Sequence, residues 1–100
     1  MKKYNKLVRD KIPELLDSKG IKYEKRIATL EEYRKELIKK LKEEIKEFIE
    51  AQNVEELADI FEVIEAIKKL PDFENVDEIR RKKLTEKGGF EKKIILKGEK

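Results

Sequence analysis

The stretch Lys40-Leu41-Lys42-Glu43-Glu44-Ile45-Lys46-Glu47-Phe48-Ile49-Glu50-Ala51-Gln52-Asn53-Val54-Glu55-Glu56-Leu57-Ala58-Asp59 decides how the rest of the chain is read. Apolar residues recur at helical spacing on both sides of Asn53. Asn53 followed by Glu56 has the form of a capping box, in which a side-chain oxygen accepts from the backbone N–H three residues on. One helix therefore ends and another begins within a few residues, and the two are predicted to fold back as an antiparallel hairpin. Upstream, Thr29 followed by Glu32 is another capping box. It opens the first hairpin helix, predicted over residues 30 to about 51 and carrying Leu30, Tyr33, Leu37, Leu41, Ile45 and Phe48. The second carries Leu57, Ile60, Phe61, Ile64 and Ile67 until Pro71 closes it.

Towards the N-terminus, Tyr4-Asn5-Lys6-Leu7-Val8-Arg9-Asp10-Lys11-Ile12-Pro13 leads into a short helix, with Pro13 tolerated in the first turn and Gly20 as its stop. Ile21, Tyr23 and Ile27 fall at even spacings and predict a short strand over 21–27. Towards the C-terminus, Asn75 is predicted to cap a last helix running through Ile79 and Leu84 to Gly88. Gly89-Phe90 then makes a turn into a second strand over 92–97, paired with the first. The predicted fold class is mainly α, a hairpin-based bundle of about four helices with two short peripheral strands, in a single domain over residues 1–100.

With 100 residues, 38% of them hydrophobic and 49% charged, the chain has material for one core. The helical spacing of its apolar residues separates it from a disordered chain of similar charge density. No apolar run approaches the roughly 20 residues of a bilayer helix, and a charged segment follows the Lys-rich start, so a soluble cytoplasmic protein is expected. Cysteine and histidine are both absent. That excludes disulfides, thiolate and imidazole metal ligands, Cys or Ser/His nucleophiles and a His general base, and leaves oxygen as the ligand for any metal. The net charge of +3 is a small excess of 26 basic over 23 acidic residues, which argues weakly for nucleic acid. Abundant Lys and Glu with little Asn or Gln fit the surface ion-pair networks of a thermophile.

In a chain this acidic, Glu-x-x-Glu and Glu-x-x-Asp patterns are common, and what separates them is phase. With Glu44 at zero, Tyr33 falls at about −20°, Leu37 at about 20°, Phe48 at about 40°, Leu41 at about 60° and Glu47 at about −60°. With Asp59 at zero, Ala66 falls at about −20°, Leu70 at about 20°, Val63 at about 40°, Glu56 at about 60° and Ile67 at about 80°. Each hairpin helix thus carries one carboxylate inside an apolar stripe and one at its edge. Two such charges about 6 Å apart repel by roughly 3 kcal/mol at an effective dielectric of about 20. Three things can offset the repulsion: proton uptake, pairing with Lys40, Lys46, Lys68 or Lys69, or a divalent cation. With carboxylates as the only ligands, a hard ion such as Mg²⁺ is the one implied.

Lys40-Leu41-Lys42-Glu43-Glu44-Ile45-Lys46-Glu47 followed by Glu56-Leu57-Ala58-Asp59 resembles the paired acidic motifs of the MazG-like, all-α nucleoside triphosphate pyrophosphohydrolases, relatives of phosphoribosyl-ATP pyrophosphohydrolase. The opening Tyr4 to Pro13 and the closing Lys87-Gly88-Gly89-Phe90 with Ile94-Ile95-Leu96 are similar to the small house-cleaning branch of that superfamily. The resemblance spans nearly the whole chain and implies cleavage of a nucleoside triphosphate, possible non-standard nucleotides included, between its α and β phosphates to give a monophosphate and pyrophosphate. It implies Mg²⁺ on Glu44, Glu47, Glu56 and Asp59, with Glu43 or Glu62 as candidates to take a proton from the attacking water. Glu43, Glu44 and Glu47 are accordingly the candidate catalytic residues. The chain departs from the family in a shorter connection between the acidic pairs and in Lys87, where an arginine is expected before the two glycines.

Among the basic residues, Lys6, Arg9 and Lys11 are the preferred substrate-binding set, because they lie in the most family-like segment. Arg80 and Lys87 come next, since the last helix and its Gly-Gly turn can close over a nucleotide. Tyr4, Tyr33, Phe48, Phe61 and Phe90 are candidate base-stacking groups, with a core role as the alternative for those on helices. The expected partners are a nucleoside triphosphate and a second copy of the chain, as a homodimer or larger homo-oligomer, with no membrane and no nucleic acid. The competing readings are a non-catalytic basic helical module that binds nucleotide or nucleic acid, and a helical adaptor without a ligand.

Overall fold

The computed structural model describes residues 5–99, and Tyr4 lies outside them. Its helices are α1 (Ile12–Ser18), α2 (Leu30–Ala51), α3 (Val54–Lys68) and α4 (Val76–Lys87), with a 3₁₀ turn at Pro71–Phe73. Both hairpin helices start as their sequence dictates. Thr29 accepts from the Glu32 N–H at 3.2 Å and Asn53 accepts from the Glu56 N–H at 2.9 Å. Gln52, in the left-handed region at φ 47°, returns its N–H to the Phe48 carbonyl and so ends α2. Only Gln52 and Asn53 separate the hairpin helices. α1 ends as a Schellman turn, with Gly20 at φ 68° and Ile21 N–H bonded to the Leu16 carbonyl.

α2 and α3 form the one extensive helix interface among the described residues. Its core is Leu37, Val63 and Leu70, against which Leu7, Tyr33, Leu41, Ala66, Ile67 and Phe73 pack. Leu7 enters from the N-terminal segment and Phe73 from the 3₁₀ turn, so both add to the core of the hairpin. Arg34 holds that turn twice, pairing with Asp72 at 2.8 Å and stacking 5.3 Å from the Phe73 ring centroid. α4 is tied back to α3 by Lys68 and Asp77, 2.9 Å apart. Among the described residues, no helix is long and apolar enough to cross a membrane.

Three expectations need correction. Neither 21–27 nor 92–97 is a strand; both lack regular secondary structure, and Lys93 sits in the left-handed region at φ 58°, with Ile27 93% and Ile95 92% exposed. A lone two-stranded ribbon is marginal in water, and neither segment finds a helix face to cover it. Asn75 precedes α4 without a side-chain cap, and only its backbone carbonyl engages, accepting from Ile79 N–H. The apolar stripes also divide. Leu30, Ile45, Leu57, Phe61 and Ile64, expected in the core, are exposed. On α3 the core residues Val63 and Ala66 lie within about 40° of Asp59, whereas Val54, Leu57, Phe61 and Ile64 lie on the opposite side, about 140–220° around. Only the first face meets α2.

Candidate metal centre

Glu44 lies on the α2 face that meets α3, as its phase predicts, and is 6% exposed, the one buried charged residue among those described. Glu43, Glu44 and Glu47 on α2 can bring one carboxylate oxygen each to within 4.8 Å of one another. Glu44, Glu56 and Asp59 do the same across the helix interface. The two triads share Glu44. The two-residue connection makes this possible, because it sets the first turn of α3 against the last turns of α2.

The charges are only partly balanced. Lys40, one turn before Glu44, reaches its Oε1 at 3.4 Å and Glu43 Oε1 at 3.7 Å. Arg9 donates to Asp59 Oδ1 at 2.7 Å, and Lys6 Nζ stands 3.6 Å from Glu43 Oε1. Glu44 Oε2 and Glu56 Oε2 are buried with no hydrogen-bond partner. Buried carboxylate oxygens are costly when unmatched. Burial, then the neighbouring Glu47 carboxyl, push the Glu44 carboxyl above the usual glutamate range, against the opposing pull of Lys40. With these two oxygens unpartnered beside the other carboxylates of the two triads, the acidic cluster could hold a metal ion.

Beside the cluster, a cleft of about 500 Å³ runs between α2, α3 and the N-terminal segment. Glu44 and Asp59 form part of its wall, Arg9, Lys11, Lys40 and Lys69 supply positive charge, and Tyr33 supplies an aromatic face. Of the five predicted substrate-binding residues, Arg9 and Lys11 line this cleft, and Lys6 reaches the adjoining Glu43. Arg80 and Lys87 sit exposed on α4 and are not among its walls. Glu62 lines it, while Glu43 faces the two lysines. Phe48 is half-buried, Phe61 exposed on the far face, and Phe90 97% exposed.

Asp10 is a cleft residue that the sequence pattern did not mark, having no helical phase to be read. Lys40 was marked only as a neutralising group, and its i to i+4 spacing from Glu44 is the signal that places it in the site. No family model, no curated protein and no solved structure matches this chain.

Proposed function

We propose that this chain hydrolyses nucleoside triphosphates to a monophosphate and pyrophosphate, with Mg²⁺ held by Glu44, Glu47, Glu56 and Asp59. The observation that carries the reading is the pair of buried oxygens without partners, Glu44 Oε2 and Glu56 Oε2, at the junction of the two carboxylate triads. The resemblance of the acidic pairs and of the opening segment to the MazG-like pyrophosphohydrolases points the same way. When bound, the ion supplies positive charge to the polyphosphate and acidity to a water.

The chain's own groups do the rest. Arg9, Lys11 and Lys69 present cations to phosphate oxygens along one cleft, where several weak contacts orient the chain of phosphates. Glu62 on the cleft wall and Glu43, paired with Lys6 and Lys40, are the candidate carboxylates to accept a proton from water. Tyr33 offers the cleft a flat apolar wall for a base. A water molecule is the nucleophile, in keeping with the absence of Cys and His.

The test is pyrophosphate release from a panel of nucleoside triphosphates with Mg²⁺, repeated with Glu44→Gln and Asp59→Asn. Each variant is expected to lose at least about 100-fold in turnover, the scale typical of a missing electrostatic group at a reacting centre. Turnover that is indifferent to both substitutions would remove the site. The pairing of Lys40 with both Glu43 and Glu44 favours a second reading, in which lysines neutralise the cluster and the protein holds nucleotide without hydrolysing it. That reading predicts nucleotide binding without Mg²⁺ and no pyrophosphate.

A further inference from the structure

The N-terminal segment reaches the acidic cluster through side chains. Residues 5–9 form neither helix nor strand. Leu7 packs on the core formed by Leu37, Val63 and Leu70, and the cations flanking it straddle the hairpin: Lys6 to Glu43 on α2, Arg9 to Asp59 on α3. Arg9 offers one positive charge to a triad of three carboxylates. It satisfies Asp59 Oδ1, while Glu44, more than nine-tenths buried, and Glu56 each keep an oxygen without a partner. The Arg9 side chain is 56% exposed, so little besides that one contact holds its guanidinium in place. A divalent cation drawn to the same triad, which Arg9 and the Lys40 ammonium 3.4 Å from Glu44 Oε1 only partly neutralise, is repelled by the guanidinium and competes with it for the Asp59 carboxylate.

We infer that Arg9 is a resident counterion of Asp59 that a divalent cation displaces, and that the displaced guanidinium, still anchored over the cleft by Leu7, then receives the polyphosphate. This rests on the metal reading proposed above and adds an order to it, cation first and phosphate second. Arg9 therefore acts with opposite sign on the two ligands. It opposes the cation when the cation comes alone, and it favours the phosphate once the cation is in. A surface ion pair without function would leave cation affinity unchanged, and a purely structural role would weaken both ligands together.

The experiment uses the full chain with Mn²⁺ alone, followed by electron paramagnetic resonance, and then inorganic tripolyphosphate added to the Mn²⁺-loaded protein in a calorimeter. Arg9→Gln is expected to bind Mn²⁺ at least about fivefold more tightly than the parent, and tripolyphosphate at least about fivefold more weakly, the lower end of measured site-to-site couplings. Arg9→Lys, which keeps the charge and loses the fork, should fall between. Melting curves of the variants check that each remains folded. Mn²⁺ affinity that is unchanged or weaker in Arg9→Gln overturns the exchange. If Mn²⁺ binding by the parent survives Glu44→Gln, or if neither parent nor Arg9→Gln binds Mn²⁺, the metal reading fails and takes the exchange with it. Mn²⁺ binding that needs Glu44 and ignores Arg9 sinks the exchange alone.

Discussion

At the scale of single residues, burial and then Glu47 oppose the ionisation of Glu44 more than Lys40 favours it. A carboxyl whose folded pKa is raised binds its proton more tightly in the native state than in the unfolded chain. Its contribution to stability is therefore complete below the ordinary glutamate range and is lost as pH rises through the raised value. The metal-free protein should lose stability through this group as pH rises above the ordinary glutamate range. Glu44→Gln should raise the melting temperature at neutral pH by a few degrees, on the order of 1 kcal/mol, with the gain vanishing near pH 4. Added Mg²⁺ should stabilise the parent most at the higher pH and leave the variant unmoved. Calorimetric melts with and without the ion would show this, and a variant less stable at neutral pH would contradict it. The burial of Glu44 was legible because helical phase is local information. The Arg9–Asp59 contact was not, because those residues are 50 positions apart and no periodicity relates a coil to a helix.

At the scale of elements, one ion pair, Lys68 with Asp77, ties α4 to the hairpin. Lys68 lies between Glu65 and Asp77, whose carboxylates hold its ammonium charged, and Lys68 in turn keeps the Asp77 carboxyl below its usual range. A depressed carboxyl stabilises at pH above its ordinary value, and that contribution is lost as pH falls through the depressed one. Asp77→Asn should speed amide exchange across Val76–Lys87 while leaving α2 and α3 protected, and high salt should reproduce part of the effect. Equal protection in parent and variant would show that α4 is held otherwise. The two α-hairpin starts could be read from the chain because each cap is a bond between residues three apart. Asn53→Ala should accordingly cost about 1 kcal/mol in a denaturant melt. The strands could not be read correctly for the opposite reason: alternation over 21–27 is a necessary feature of a strand, and a partner edge, which the sequence does not encode locally, is the sufficient one.

At the scale of the whole molecule, the radius of gyration is 18.0 Å, against about 13 Å for a compact domain of this length. An apolar face is turned outward: Ile38, Ile45 and Ile49 on α2, Val54, Leu57, Phe61 and Ile64 on α3. Phase alone could place these residues on a second stripe, but not decide which stripe meets the neighbouring helix. A second copy of the hairpin would cover that face in the manner of a four-helix bundle. Light scattering should therefore give a dimer or larger species, and Phe61→Lys, at a site 62% exposed, should shift it towards monomer without loss of helix content. A parent protein that scatters as a monomer at all concentrations would refute this and leave the chemistry of the cleft untouched.

The elbow of Gln52 and Asn53 has a consequence for how the site can change. One residue inserted there would change the register and rotation of α3 against α2, with the helical bonds within each helix still available. Circular dichroism would scarcely register the change, yet Asp59 and Glu56 would swing out of reach of Glu44. Spacer length at this joint is as much a part of the chemistry as the acids themselves, and it sets which insertions this fold can tolerate.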